Sequence, residues 1–264
     1  MFKVDNIKLF FKYVSMHLKV SLEYKASFIM TVISQMLTMI LELFAIIALF
    51  HKFSLLEDYN PMEILLSFSS IWLGYSIAEC FARGFDHFGD LIKKGNFDLL
   101  LIRPRNIFLQ ILGFQISTEK ICRIIIALTL FIYSSINVIS SFNLLKILLL
   151  INMFIGSTIV FTAIFITGAS FAFITIEGLE IINIFTNGTR QLAQYPLGIY
   201  NKIIRIILTI VIPVTIISYY PIDYLTNQTS NILYVFIPLL SIIPLIISIS
   251  IFKIGINKYN STGS

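Results

Sequence analysis

The sequence predicts an all-α integral membrane protein with six transmembrane helices, and three observations support this fold class. Of its 264 residues, only 12% are charged and 57% are hydrophobic, whereas soluble domains carry about 25% charged residues. The mean hydropathy is +0.90, and several apolar runs exceed the roughly 20 residues that cross a bilayer. Lysine and arginine are concentrated in alternate connections between these runs, as expected for a multi-pass protein.

Hydropathy places six candidate spans along the chain. Residues 26–50 contain a single charged residue, Glu42, and residues 147–176 and 224–252 contain none. The first run is too long for the core of a signal peptide, and no small-residue cleavage site follows it, so we interpret it as a retained span. The predicted spans are about 27–50, 63–82, 120–139, 145–170, either 175–195 or 203–221, and 232–252.

The distribution of positive charge predicts the orientation. On this topology, 17 of the 19 lysines and arginines lie on one side and 2, Lys52 and Lys146, lie on the other. Because connections rich in lysine and arginine stay in the cytoplasm, both termini are predicted to be cytoplasmic. The isoelectric point of about 9.1 therefore reflects topology, and no nucleic-acid partner is expected.

Residues 1–25 form a predicted amphipathic helix. Apolar residues such as Phe2, Leu9, Phe10 and Tyr13 recur at helical spacing, with lysines between them. A helix of this composition lies in the inner membrane interface, with its lysines near anionic headgroups. It is either a membrane-surface anchor alone or also a second contact for a cytoplasmic partner.

The fifth span has two interpretations. Residues 175–194 are polar for a span, since they include Glu177, Glu180 and Arg190, yet they remain partly apolar. In one interpretation 175–200 is a cytoplasmic loop and 203–221 is the span, which Lys202 and Arg205 favour. In the other, 175–195 is a polar-faced span and 203–221 is a re-entrant hairpin on the outer side, broken at Pro213; such broken backbone is tolerated where it is buried in protein or lines a cavity.

The connection between the second and third spans is a charged island, residues 83–110. Phe85, Phe88, Leu91 and Ile92 form an apolar stripe at helical spacing. The residues largely on the other side are Arg83, Asp86, Asp90, Lys93 and Lys94. Gly95 is suited to ending a helix, and Pro104 cannot continue one. The island is either a solvated connecting loop or a short helix that a soluble partner grips, in which case it passes motion to the spans.

No enzymatic chemistry is visible in the chain. It has no Gly-x-x-x-x-Gly-Lys-Ser/Thr loop, so no nucleotide site is predicted. No catalytic residue and no metal ligand set is predicted, since no His/Cys/carboxylate cluster has metal-ligand spacing. Three acidic residues, Glu42, Glu177 and Glu180, are candidates for lining a translocation path, because acidic side chains inside a membrane face a partner or a cavity. For Glu42 the alternative is a protonated or hydrogen-bonded packing residue.

The island also carries a family resemblance. Gly95 and Asp98, then a leucine run, then Arg103-Pro104 resemble the signature of ABC-2-type transporter permeases. Similar segments follow at Tyr195-Pro196, Pro213 and Pro221, and in the tail at 258–263. In this sequence Arg105 stands where the family more often has a small or apolar residue.

The resemblance implies six transmembrane helices per permease, a second permease, identical or paralogous, and two cytoplasmic ABC ATPase subunits. Residues 83–98 would be the coupling helix. Docking of the ATPase is assigned to Arg83, Phe85, Asp86, Phe88, Asp90, Lys93, Lys94, Gly95 and Asp98. ATP and Mg²⁺ would bind in the partner subunit, and no cofactor is expected in this chain. The broader class also has a re-entrant hairpin before the last span.

The resulting expectation is the permease subunit of an ABC exporter, which forms the translocation path and is not itself an enzyme. The alternative is an ATP-independent secondary transporter or channel, and a third is a membrane-embedded sensor. Isoleucine-, asparagine- and lysine-rich usage indicates an AT-rich bacterial genome, so the expected location is the bacterial plasma membrane.

Overall fold

The computed structural model describes residues 2–52, 60–175, 179–195 and 200–260. These ranges fold into helices and turns with no β-strand, which confirms the all-helical fold class. Five helical segments in the described ranges are long and apolar enough to cross a membrane. They are Lys25–Ala48, Pro61–Phe81, Thr118–Val138, Leu144–Phe171 and Leu233–Lys258. A bent pair, Lys202–Val211 with Val214–Leu225, passes the same test only when its two limbs are taken together.

The α-helices are numbered here in chain order. They are α1 Phe2–Glu23, α2 Lys25–Lys52, α3 Pro61–Phe81, α4 Arg83–Asp86, α5 Phe88–Lys93, α6 Asn96–Leu101, α7 Ile107–Phe114, α8 Ile121–Val138, α9 Leu144–Phe171, α10 Leu179–Ala193, α11 Lys202–Ile206, α12 Tyr219–Leu225, α13 Leu233–Phe236 and α14 Ile242–Lys258. A 3₁₀ turn precedes α8, and another joins α13 to α14.

Helix α3 is the centre of the bundle. It packs against α8 and α9, while α14 packs along α9. The apolar window of α3 is 78% buried, against 11% for that of α2, because α3 carries small and apolar residues on every side. At Gly74 a Cβ would overlap Ser157, so the absence of a side chain allows α3 and α9 to approach closely. The helix starts with a capping box between Asn60 and Glu63.

Three helices of the bundle run in the same direction. Gly74 of α3 lies against Ser157 of α9, and Phe88, beyond the end of α3, lies against Phe173, beyond the end of α9. In the same order, Asn152 of α9 donates to the carbonyl of Val235, before α14, and Phe173 lies against Phe252 of α14. We call the end where α3, α9 and α14 begin the N-end, and the end where they finish the C-end. The chain therefore has to return from the C-end to the N-end between α9 and α14.

Helix α10 makes this return. Midway along it, Asn187 accepts a hydrogen bond of 3.1 Å from the Tyr75 hydroxyl of α3. Near its end, Leu192 lines a pocket together with Ile64, close to the start of α3. Arg190, which the sequence interpretation counted in a cytoplasmic connection, lies instead within this helix and is buried. A count of positive charges cannot separate such a buried helical arginine from one in a loop.

Residues 200–225 begin and finish at the N-end. The Tyr200 hydroxyl donates to the carbonyl of Leu192, and the Lys146 ammonium at the start of α9 donates to the carbonyl of Leu225. Between them the chain bends by 76°, and Ile217 at the bend reaches Gly156, about 15 Å along α9 from Lys146 at 1.5 Å per residue. Lys202 and Arg205 therefore lie at the N-end and do not mark a loop at the C-end.

Candidate functional site

The island between α3 and α8 is built from several short helices and is not one coupling helix over 83–98. Helices α4 and α5 are separated at His87. Gly95 then adopts a left-handed conformation, with φ of +65°, before α6 starts at Asn96. Because L-residues disfavour this region, glycine at 95 permits the reversal. The helix stop predicted at Gly95 is present in the backbone.

The apolar stripe of the island faces the inside of the protein. Phe85 and Phe88 are 1% and 0% exposed. The ring centroid of Phe88 lies 5.1 Å from that of Phe173, just after α9, and 5.0 Å from that of Phe252 in α14. Phe85 and Phe88, which were predicted for docking, are therefore covered by tertiary packing. Their packing instead attaches the island to the C-ends of α9 and α14.

The exposed part of the island lies beyond the predicted coupling segment. Residues 99–106 form a tip between α6 and α7, and every residue of it except Leu100 is exposed. Ile102 is 78% exposed at the centre of this tip. Lys93 and Lys94 are exposed nearby, whereas Arg83, Asp86, Asp90 and Asp98 are partly buried. The tip combines apolar and basic side chains on one small surface.

Gln110 fixes the shape of the tip. Its side-chain amide donates to the carbonyl of Leu100 at 3.1 Å and to that of Arg105 at 3.2 Å, so it connects the two sides of the turn. At Gly84 a Cβ would overlap the carbonyl oxygen of Ile111, which brings α4 directly against α7. Sequence reasoning assigned no role to Gln110. A long amide placed shortly after a proline turn was the available signal.

A buried ionic cluster lies where α3 meets the island. The Glu79 carboxylate, 6% exposed, accepts from Arg83 at 2.6 Å and from Lys120 at 2.9 Å, and it also pairs with Arg123. Arg123 donates further to Ser76 at 2.8 Å. Glu79 is thus enclosed by three cations from α4, α8 and the turn before α8. We call Glu79, Arg83, Lys120 and Arg123 the Glu79 cluster.

Asp86 of α4 lies at the edge of this cluster. Its carboxylate is 3.4 Å from Arg83. Burial raises the pKa of Asp86 above its usual value, and the neighbouring Arg83 opposes this only in part. Ionising Asp86 therefore costs more free energy in the folded protein than in water.

A second ionic pair joins α2 to α10 halfway along the bundle. Both carboxylate oxygens of Glu42 accept from Arg190, at 2.6 and 3.0 Å, and Gln194 donates to the same carboxylate at 3.1 Å. Glu42 was predicted as a translocation-path residue, and the structure shows it neutralised by a bidentate partner. We call Glu42 and Arg190 the Glu42 pair.

The two ionic sites meet at a pair of aromatic rings on α3. The guanidinium of Arg190 lies 4.3 Å from the ring centroid of Trp72, and that of Arg123 lies 4.9 Å from it. Both guanidinium groups are also 5.3 Å from the ring of Tyr75. Such cation–π contacts are strongest where water is excluded. The rings therefore connect the Glu79 cluster at the C-end with the Glu42 pair.

Helix α1 packs on the return side of the island. His17 Nε2 lies 3.1 Å from the carbonyl oxygen of Gly113, and Ser21 and Thr118 share a hydrogen bond of 2.7 Å. The Tyr13 ring covers Gly113, where a Cβ would not fit. On another side of the helix, Phe11 stays exposed. Helix α1 thus packs one side against the protein and leaves an apolar side exposed.

The remaining predicted residues are placed as follows. Glu177 and Pro196 lie outside the described residues, as does the side chain of Glu180. Tyr195 is partly buried at the end of α10, and Pro213 lies at the bend of residues 200–225. Pro221 is buried in α12.

Together, these features define a multi-pass, all-helical membrane protein whose charged island is built into the C-end of the bundle. The family model of the ABC-2 family transporter proteins matches residues 36–263. The chain belongs to this family. Neither the curated proteins nor the solved structures contain a significant match to it. Family membership establishes a membrane component of an ABC transporter, and helix α1 precedes the matched range.

Proposed function

We propose that this protein is the permease subunit of an ATP-driven exporter and that separate cytoplasmic ATPase subunits dock on its tip, residues 99–106. The observation that carries the proposal is the exposure of this tip, since the rest of the island is buried or partly buried apart from Lys93 and Lys94. Ile102 is 78% exposed and is followed by two exposed basic residues, Arg103 and Arg105. An apolar side chain surrounded by charges suits insertion into a pocket of a soluble partner. Lys93 and Lys94 extend the same basic surface.

The island is suited to transmitting force. Behind the tip, Phe85 and Phe88 pack against Phe252, with Phe88–Phe252 ring centroids 5.0 Å apart. The Glu79 cluster attaches the same island to α3 and α8. Because packed interiors deform little, a displacement of the tip would move the C-ends of these helices together. The former prediction of a coupling segment over 83–98 is thereby divided into a buried part that transmits force and an exposed part that docks.

The topology that fits this function has the C-end in the cytoplasm, with both termini inside the plasma membrane of a bacterium. Most lysines and arginines lie at that end, including those of α1 and the island. Helix α10 would be the fifth crossing. Residues 200–225 would be a re-entrant hairpin that enters from the outside, which is tolerated because residues 214–217, just after its bend, are buried and Ile217 lies against α9. The exposed side of α2 leaves an apolar surface for lipid and for a second permease, identical or paralogous.

A copurification experiment tests docking. The wild-type chain, extracted from its native membrane in mild detergent, should carry an ATP-hydrolysing subunit that itself contains a phosphate-binding loop. Ile102→Asp should reduce the recovered ATPase at least about tenfold, since one desolvated anchor residue is worth at least about 2 kcal/mol. Leu144→Asp is the matched control, because Leu144 is equally exposed, at 81%, but lies at the N-end.

Two results would contradict the proposal. If no ATPase copurifies with the wild-type chain, the ATP-driven function is wrong and the ATP-independent transporter becomes the better hypothesis. If ATPase recovery is the same for Ile102→Asp and Leu144→Asp, the subunit docks elsewhere on the C-end.

A further inference from the structure

Helix α1 lies across the C-end of the bundle and has a second side that faces away from the protein. On its first side, Phe10 packs on Phe81 at the end of α3, with ring centroids 6.1 Å apart. Further along this side, His17 hydrogen-bonds to the end of α7 and Ser21 to the turn before α8. All these contacts fall at the C-end, although residues 10–21 extend over about 16 Å at 1.5 Å per residue.

The side of α1 that faces away from the protein, which we call the outward side, is both apolar and basic. Its exposed apolar residues, each between 49% and 65% exposed, are Ile7, Phe11, Met16, Val20 and Leu22. Lys8, Lys12 and Lys19 are exposed as well, at intervals of four and seven residues that place them in one row. Among the described residues, none of the three forms an ion pair. Glu23 is exposed on the same side and offsets one of these charges.

The row of lysines lies between two apolar edges. At about 100° per residue, Phe11 and Leu22 fall on one edge of the row and Met16 and Val20 on the other. A helix surface of this kind buries its apolar side chains at the boundary of headgroups and acyl chains, while its lysines attract anionic headgroups. Lysine is depleted in protein–protein interfaces, so this row favours a lipid surface over a protein partner.

The membrane is also directly beside this helix. A single residue, Tyr24, separates α1 from α2, and the candidate span of α2 begins at Lys25. Because α1 stays at the C-end, it lies at the level where the first span enters the bilayer. Its outward side is therefore within reach of the headgroups of that leaflet.

We propose that the outward side of α1 binds anionic phospholipid, with its three lysines at the phosphates and Phe11 and Leu22 among the upper acyl chains. The residues that meet the lipid differ from those of the apolar stripe read from the sequence. Phe10 and Tyr13 of that stripe contact the protein instead. Because the same helix is bonded to α7 and to the turn before α8, the lipid contact would hold the island at a fixed depth relative to the bilayer. This contact needs neither an ATPase nor a cargo, so it is independent of the proposed export function.

Brominated phospholipids test the contact, because bromine quenches tryptophan fluorescence only at close range. The full-length chain carries Phe11→Trp as a reporter and is reconstituted into vesicles of phosphatidylcholine with a minor fraction of phosphatidylglycerol. In one set the phosphatidylglycerol is brominated, and in the other an equal amount of the phosphatidylcholine, so the headgroup composition is the same. The native Trp72 is 1% exposed, and its signal is subtracted by means of the unaltered chain.

Brominated phosphatidylglycerol should quench the reporter more strongly than brominated phosphatidylcholine. We expect an apparent preference of at least about tenfold, since each lysine near an anionic surface contributes about fivefold and Glu23 offsets one of the three. High salt should lower this preference, because exposed charges are screened. Phe10→Trp, the adjacent position on the protein side, is the matched reporter and should be quenched clearly less by either lipid.

Charge variants locate the binding. Lys12→Gln with Lys19→Gln leaves one lysine against one acid on the outward side, so the preference of the reporter should fall close to one. Lys202→Gln with Arg205→Gln removes the same charge from exposed residues at the N-end. This matched double variant should leave the preference unchanged. All four positions are exposed, so none of these changes should disturb folding.

Four results would overturn the proposal: no quenching of Phe11→Trp by either lipid, equal quenching by both, equal quenching of the two reporters, or full preference in the lysine double variant. If Phe10→Trp does not fold, as judged by its elution profile and circular dichroism, the other three results decide. An intact ATPase association without lipid preference rejects the lipid contact alone. Lipid preference without an associated ATPase rejects the export mechanism alone.

Discussion

The Glu42 pair provides a quantitative test of the bundle. Glu42→Gln keeps the size of the side chain but removes its charge, so the guanidinium of Arg190 loses a bidentate partner whose contacts are 2.6 and 3.0 Å long. Removing one partner of a buried ion pair costs about 3–5 kcal/mol. The Glu42 side chain is 23% exposed and that of Arg190 is 7% exposed. We therefore expect about 3 kcal/mol, the lower part of this range.

A double-mutant cycle separates the pair from its surroundings. Arg190→Met removes the charge that Glu42 neutralises, so adding it to Glu42→Gln should cost clearly less than the sum of the two single changes. The free energy of unfolding is measured by reversible SDS denaturation in mixed micelles. The control cycle combines Glu42→Gln with Lys146→Met, which shares no partner with Glu42 and should be additive within about 0.5 kcal/mol. Additivity in the Glu42–Arg190 cycle as well would refute the assigned pairing.

Three further predictions concern the backbone and the island. Gly95→Ala should destabilise the fold by about 1–2 kcal/mol, because φ is +65° there although the space for a Cβ is open; Gly95→Asn should cost less, and equal unfolding curves for both variants would argue against the strain. Gly74→Ala should destabilise by about 1–3 kcal/mol through overlap with Ser157, whereas Gly188→Ala, in a helix with open space, should be neutral or stabilising; thermal unfolding distinguishes them. The pKa of Asp86 is raised in the folded state, so this carboxyl group stabilises the fold only while it is protonated. The free energy of unfolding should therefore fall as the pH rises from the unfolded-state pKa through the folded-state pKa. Asp86→Asn should remove this part of the pH dependence, and an unchanged pH profile would contradict it.

The sequence was most informative where hydropathy alone decides the structure. Charge-free runs predicted the long helices, because a bilayer requires about 20 apolar residues. Helix α10 escaped this criterion, since it has 15 residues and one polar side. Asn187, Arg190 and Gln194 recur at intervals of three and four, which is the spacing of one helix side. That pattern, together with the single acid of the first span, was the available sign of an intramembrane pair.

The island shows a different limit of sequence reasoning. Its apolar stripe was predicted at the correct residues, but the partner of the stripe was not. Phe173 and Phe252, which cover Phe88, are distant in sequence and carry no mark that separates them from lipid-facing phenylalanines. A stripe at helical spacing indicates that one side is apolar, whereas only the packed structure shows which surface covers it.

The two ionic sites are also expected to influence each other although they share no hydrogen bond. Arg123 and Arg190 carry like charges and both lie 5.3 Å from the ring of Tyr75, and each pairs with a carboxylate, Glu79 or Glu42. Removing either carboxylate leaves one compensated and one uncompensated guanidinium at these rings. Each single change also relieves the repulsion between the two carboxylates, and the sum of the single changes counts this relief twice, whereas the double variant gains it once. Glu42→Gln combined with Glu79→Gln should therefore destabilise by more than the sum of the single changes, by at least about 0.5 kcal/mol. Strict additivity in SDS denaturation would mean that the aromatic pair insulates the two sites from each other.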